Sequence, residues 1–382
     1  MASIDVTILG AGAFGLGIAW ACARRGARVR VVDPGGVGAG ASGGVVGALA
    51  PHVPEAWNEK KAFQFESLDM GEAFWGEVAE VSGLSPGYAR TGRLQPLADA
   101  AAVSLAQARA GTARALWQGR YAWEVIAAEG APWEPQSASG MLVRDDLTAR
   151  IHPRRACAAL AGAIRARGGE IVETAEMQGV VVHATGWQGF DALNTAFGRQ
   201  VGVGVKGQAA LLSYAAPDAP QLFADALHIV PHEDGTVAIG STTERDFDDP
   251  ASTDAQLDAV IARARAAFPV LSEAPVIARW AGVRPRARSR APMLGEHPLH
   301  PGQFIANGGF KIGFGMAPKV AEVMADLVLE GRDAIPASFK PGASLPPGQE
   351  EAIPRRPDGP QDGQEGASPL GLRPHPRSLR AQ

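Results

Sequence analysis

The order of apolar and polar positions divides the chain into recognisable elements. Val6-Thr-Ile-Leu9 is a short apolar run rich in β-formers, followed by Gly10-Ala-Gly-Ala-Phe-Gly15 and a helical stretch from Ala13 to Arg25 that Gly26 stops. Ala27 to Asp33 supplies a second strand, so about thirty residues read strand–turn–helix–strand, the opening of a parallel α/β sheet. Lys60 to Val81 reads as one amphipathic helix, with Phe63, Leu68, Phe74, Trp75 and Val78 available for one side. Ala100 to Gly130 is Ala-rich and helical in pattern, with Trp117 and Trp123 as core. Arg154 to Arg167 gives another helix, ending at Gly168-Gly169, and Gly179 to His183 returns as a buried strand.

From Val201 to Gly240 the pattern changes to short strands punctuated by Pro, Asp and Gly. Val205 to Leu212, Leu227 to Val230 and Thr236 to Gly240 fit an antiparallel sheet. A helix over Asp254 to Phe268 and a strand over Val276 to Trp280 follow. The closing helix starts at Pro318, a residue suited to a first helical position, and gathers Val320, Val323, Met324, Leu327 and Val328 on one face. With α/β pieces at both ends and antiparallel strands between, the expected organisation is a discontinuous nucleotide domain (residues 1–85, 150–200 and 291–335) carrying an inserted substrate domain (86–149 and 201–290).

Composition narrows the class. The chain has 382 residues, 46% apolar and 20% charged, enough for a large buried core. Its net charge of −4 argues against a coat for nucleic acid or an anionic membrane. Cys22 and Cys157 stand far apart with no Cys/His cluster, which argues against a disulfide framework or a structural zinc site, and no metal site is expected. Residues 6–23 lack charge, but Asp5 precedes them and Gly10, Gly12, Gly15 and Gly17 interrupt them, against a signal peptide or membrane span. A cytoplasmic location is the expectation. Residues 341–382 hold nine prolines and six glycines with few large apolar side chains, and are expected to form a disordered tail.

Gly10-x-Gly12-x-x-Gly15 gains meaning from its context of strand before and helix after. Its glycines let the backbone turn tightly and approach a pyrophosphate at the helix N-terminus, while Asp33 can accept hydrogen bonds from an adenosine ribose. That motif alone does not separate FAD from NAD. Gly38-Ala-Gly-Ala41-Ser42-Gly-Gly-Val-Val46-Gly47-Ala48-Leu-Ala-Pro51 follows closely, and its small side chains would let backbone meet a ligand.

At this segment the chain resembles the D-amino-acid oxidase family of FAD-dependent oxidoreductases, which includes glycine oxidase and sarcosine oxidase. The likeness extends to His183-Ala-Thr185-Gly186-Trp, to Val205-Lys-Gly-Gln208 and His228 through Glu244, and to Gly282-Val-Arg284-Pro, Asn307-Gly308-Gly309-Phe310-Lys311-Ile312-Gly313 and Ala317-Pro318. It covers residues 4–332, with the motifs in order. It implies an FAD-binding Rossmann-like α/β domain of the glutathione-reductase type with an α+β substrate domain on an antiparallel sheet. FAD is then the cofactor, held by Gly10, Gly12, Ala13, Phe14, Gly15, Asp33, Pro34, Ala41, Ser42, Val46, Gly47, Ala48, Thr185, Gly186 and residues Gly308, Gly309, Phe310, Lys311, Ile312 and Gly313.

The implied reaction is hydride transfer to FAD from the amine-bearing carbon of a small amine or amino acid of the glycine, D-amino acid or N-alkyl type. The imine then hydrolyses, and electrons pass to oxygen or another acceptor. Arg284 and Lys311 are the candidates for holding a substrate carboxylate, and His228 is a third substrate-side candidate. The chain departs from the family at Lys311, where glycine-oxidase-like members carry Arg, and at His228, where Tyr is frequent. Residues 170–179 are shorter than the glycine-oxidase meander, and the Asp often found before the closing Pro292 is missing.

The dense run Arg279, Arg284, Arg286, Arg288 and Arg290 admits other readings. Gly282 to Gly295 also resembles the oxidoreductase domain of a tRNA wobble-uridine modifying enzyme, but its companion methyltransferase domain is absent here and the net charge is acidic. A flavin-binding protein without turnover is a third reading, and an NAD dehydrogenase a fourth that the loop after Asp33 opposes. His52 is read as a loop residue packed on prolines, and the eight tryptophans as core.

Overall fold

The computed structural model describes residues 3–345. A six-stranded sheet runs in the order Met293–Glu296, Phe304–Asn307, Val180–His183, Val6–Leu9, Val29–Val32 and Glu170–Val172. All its pairings are parallel except that of the edge strand Met293–Glu296. Side chains alternate across a strand, and Val6, Ile8, Val29 and Val31 enter one core with helices Ala13–Arg24, Pro153–Ala166 and Gly313–Glu330. The opposite face is crossed by the connection 173–179. There Thr7 Oγ1 donates to the Gln178 carbonyl at 2.6 Å and accepts the Gln178 N–H at 3.1 Å.

The second sheet has eight strands: Val276–Ala287, Gly202–Ser213, Thr236–Gly240, Leu227–Pro231, Gln221–Ala224, Arg93–Pro96, Met141–Asp145 and Trp123–Ala127. It is antiparallel apart from the pairing of Gln221–Ala224 with Arg93–Pro96. One face packs Leu212, Ile229 and Ile239 against Leu257 and Ile261 of helix Ala255–Ala267. On the other, Ala209, Leu211, Val230 and Ala238 meet Val45 and Val46 of the small-residue loop. Among the described residues no helix is long and apolar enough to cross a membrane.

Four sequence expectations require correction. The single helix over 60–81 is two, Glu59–Asp69 and Gly71–Ser82. Arg90 Nη2 takes the Leu68 carbonyl at 3.0 Å, and Gly71 abuts Tyr88, so tertiary contacts intervene where the apolar stripe ran on. The helix over 100–130 ends at Leu116, because Trp123–Ala127 pairs with Met141–Asp145 as a strand. Pro318 lies inside the last helix, which begins at Gly313, a short turn after the strand Phe304–Asn307. Finally, residues 341–345 are not tail: Leu345 packs with Phe190 and Leu193, and Ser344 Oγ accepts the Ser289 N–H at 3.2 Å. The rest of the expected tail, 346–382, lies outside the described residues.

Candidate active site

The carboxyl ends of the parallel strands face the antiparallel sheet across a cleft of about 750 Å³. At its floor Gly10 holds φ +112°, and a Cβ there would stand 2.3 Å from the Ala184 carbonyl oxygen, so only glycine fits. Gly12 caps the helix that starts at Ala13 and borders the cleft. Ser42 Oγ accepts the Ala13 N–H at 2.9 Å and so ties the small-residue loop to the helix start. Asp33 Oδ2 accepts the Ala11 N–H at 2.8 Å, while its Oδ1 accepts the Gly35 N–H at 2.9 Å. The carboxylate therefore fixes the glycine turn while keeping lone pairs for a ligand.

The residues assigned to the cofactor from sequence gather here, with two exceptions. Gly10, Gly12, Ala13, Phe14, Asp33, Pro34, Ala41, Ser42, Val46, Gly47, Ala48, Thr185, Gly186, Gly308, Gly309, Phe310, Lys311 and Gly313 all line the cleft. Gly15 lies behind the wall, where a Cβ would meet the Gly10 carbonyl oxygen at 1.9 Å. Ile312 turns into the main core. The combination suits a dinucleotide: N–H groups of a helix start for a diphosphate, a carboxylate at the end of the second strand for a ribose, and a floor without side chains.

Cations occupy the opposite wall. Arg284, in strand Val276–Ala287, donates from Nη2 to Ser241 Oγ at 2.8 Å and from Nη1 to the Thr242 carbonyl at 3.4 Å. Its guanidinium lies over the bare Cα of Gly207, where a Cβ would come within 1.8 Å of Nη1. Gly207 is thus the slot that seats Arg284, a role that single-residue reading of the sequence misses. Lys311 Nζ donates to Thr243 Oγ1 at 2.8 Å. Among the described residues neither cation forms a salt bridge. Burial pushes Arg284 down to about 10, against the pull of Glu244, and it remains charged at neutral pH. Burial first, then repulsion from Arg284, lowers Lys311.

Other assignments move. His228 does not line the cleft; its ring packs on Phe223 at 4.6 Å between centroids. The arginine run does not make one basic surface: Arg279 pairs with Asp258, Arg284 faces the cleft, and Arg286 lies 5.6 Å from the centroid of Phe310. Trp187 lines the cleft, and so does Trp280, which also packs against the Val45 cluster. His52 donates its backbone N–H to Gln64 Oε1 at 2.8 Å and stands outside the cleft wall.

Imidazoles that the fold holds neutral make stability depend on pH, among them the half-buried His228 and the buried His232. Burial, then the charges of Arg93, Lys311 and Arg284, pushes His228 down to about 3. Burial also pushes His232 down to about 4, with His152, Asp234 and Arg150 nearby, and its Nε2 meets the Val45 carbonyl at 2.9 Å. Unfolded, both titrate near 6.5. Below that value the unfolded chain binds more protons, so their contribution is complete above about pH 6.5 and is lost as pH falls toward the folded values. The expected loss is on the order of 1–2 kcal/mol per imidazole by about pH 5. A Tm series from neutral to acidic pH checks this. His228→Phe should flatten the slope, and an identical slope in the variant would rule the account out.

A cleft of this kind defines an oxidoreductase that holds a dinucleotide against its substrate. The chain belongs to the FAD dependent oxidoreductase (DAO) family, whose pattern matches residues 5–327, and its cofactor is FAD. A glycine oxidase of Bacillus licheniformis is 25% identical over 361 residues, 85% of this chain and 93% of its own length. One from Pseudomonas aeruginosa is 34% identical over 146 residues, 37% of this chain and 40% of that protein. The crystal structure of glycine oxidase from Geobacillus kaustophilus superposes with a TM-score of 0.75 at 23% identity, covering 88% of this chain and 97% of that one, which supports the fold.

Proposed function

We propose that the chain oxidises a small amine carrying a carboxylate, of the glycine, D-amino acid or N-alkyl amino acid type. The observation that carries this reading is the pair Arg284 and Lys311, two cations on one wall of the cleft that form no salt bridge among the described residues. Glycine oxidases among the relatives agree with it.

FAD, when bound, supplies the two-electron acceptor for hydride leaving the amine-bearing carbon, after which the imine hydrolyses. Its diphosphate would lie at the helix start beside Gly12, where the Ala13 N–H is already taken by Ser42 Oγ, its ribose at Asp33, and the remainder along the segments Gly47–Ala48 and Gly308–Gly309. Arg284 offers the substrate carboxylate a planar fork, already oriented by Ser241 and Thr242, so little freedom is lost on binding. Lys311, held by Thr243, adds a point charge from the more exposed side. Among the described residues, Asp33 is the one carboxylate that lines the cleft, and no imidazole lines it. The residues' work is then orientation and charge pairing rather than acid–base catalysis.

Anaerobic absorbance titration of the holoprotein with glycine, sarcosine, proline and D-amino acids tests the reading. Bleaching of the flavin by at least one is the expected result. A yellow protein that none of them bleaches overturns the amino-acid assignment.

A further inference from the structure

Sequence spacing shows no metal cluster, yet the fold assembles one from distant positions. His183 ends the strand Val180–His183, while His297 and His300 lie in the turn joining Met293–Glu296 to Phe304–Asn307. Strand pairing sets Leu9 beside His183 and Thr7 beside Val181, so His183 shares the sheet face of Thr7, away from the main helical core. The connection 173–179, exposed throughout, crosses that face at Thr7 and leaves His183 half-open. The three imidazoles cluster there with centroids 4.4, 4.5 and 5.1 Å apart, His183 and His300 stacked and His297 tilted against both. One nitrogen from each ring lies within 4.8 Å of the others.

We propose that His183, His297 and His300 form a binding site for a divalent transition cation of the Zn²⁺ class. Three neutral nitrogen donors suit Zn²⁺, Cu²⁺ or Ni²⁺, whereas Mg²⁺ and Ca²⁺ require oxygen ligands. Gln303 Oε1 meets His183 Nε2 at 2.6 Å, taking the proton on that nitrogen and leaving Nδ1 with its lone pair free. A partner of this kind on the far side of a ligating ring is the usual way to fix its tautomer and direction. His297 Nδ1 accepts the Leu299 N–H at 3.1 Å; ligation turns this ring over or exchanges that bond. Zn–N bonds of about 2.0–2.1 Å in a tetrahedral arrangement place ligand nitrogens about 3.3 Å apart, so the rings must close in slightly. His300 is exposed and in a turn, and can supply that movement. A fourth position remains open for water.

The site would clamp two segments that enter the cofactor cleft. His183 runs directly into Thr185 and Gly186, and the turn of His297 and His300 feeds the strand that ends at Asn307 before Gly308. The cation thus braces the nucleotide domain from behind without touching the reacting end.

Chelator-treated holoprotein titrated calorimetrically with Zn²⁺ tests the proposal. One equivalent is expected, with a Kd of about 1 μM or below and a raised Tm. His300→Ala, at an exposed position, should weaken binding by at least about tenfold while leaving flavin absorbance unchanged. His297→Ala should do the same. Mg²⁺ should not compete. Absence of a stoichiometric site, or Zn²⁺ binding that survives both substitutions, overturns the assignment, as does equal competition by Mg²⁺.

Discussion

Replacing Gly12 by valine is expected to yield a protein that purifies without FAD. Gly12 stands at the helix start, and even a Cβ would come within 3.1 Å of Ser42 Oγ, the atom that accepts the Ala13 N–H. Valine adds two methyl groups to that crowding, at the point where the backbone must meet a diphosphate closely. Losing that approach should weaken FAD by at least about 100-fold, or roughly 2.7 kcal/mol. Flavin absorbance per protein after purification reads the effect, and Gly12→Ala should fall between. A fully flavinylated valine variant would remove the diphosphate from this helix start.

Arg284→Ala should lower kcat/KM for a carboxylate-bearing amine by about 100- to 1000-fold, since each charge-assisted hydrogen bond is worth roughly 1.5–3 kcal/mol. The same substitution should matter far less for the corresponding amine lacking the carboxylate. Gly207→Ala offers an independent check through positioning. The added methyl cannot coexist with the guanidinium in its present place, so it should raise KM for the carboxylate substrate while FAD stays bound. Lys311→Ala should cost less, about tenfold, because Lys311 is exposed and binds as a point charge. Equal losses for both amines in Arg284→Ala would exclude Arg284 as the carboxylate anchor.

The glycine-rich end of this cleft, where we place the cofactor, was legible because it depends on local sequence. Gly10, Gly12 and Asp33 lie within one strand–turn–helix–strand unit, and the turn geometry dictates their residue types. The cationic end was half-legible. Arg284 and Lys311 stand out as side chains, but the seat for Arg284 comes from Gly207 across a strand pair, a relation that exists only in the folded register. Trp187 and Trp280 look like core by residue type, and nothing in their immediate sequence signals that the fold places them at the cleft. Element boundaries failed where tertiary contacts overrode periodicity: Arg90 at the Leu68 carbonyl, and the strand partner that draws Trp123–Ala127 out of a helical pattern. The trio of His183, His297 and His300 was illegible for the same reason, since more than a hundred residues separate its first member from the others.

The six-stranded sheet sets the order in which this protein can mature. Its central strand, Val6–Leu9, leaves the ribosome first, but the neighbour Phe304–Asn307 and the segment Gly308–Gly313 come near the end of the body. Closing these pairs demands contacts of very high sequence separation, which slows folding and exposes unpaired edges to misassembly. A nascent chain halted before Gly308 would hold the Gly10–Gly15 turn but not the rest of its cleft. Flavin capture therefore waits until translation has passed Gly313 and the six-stranded sheet can close.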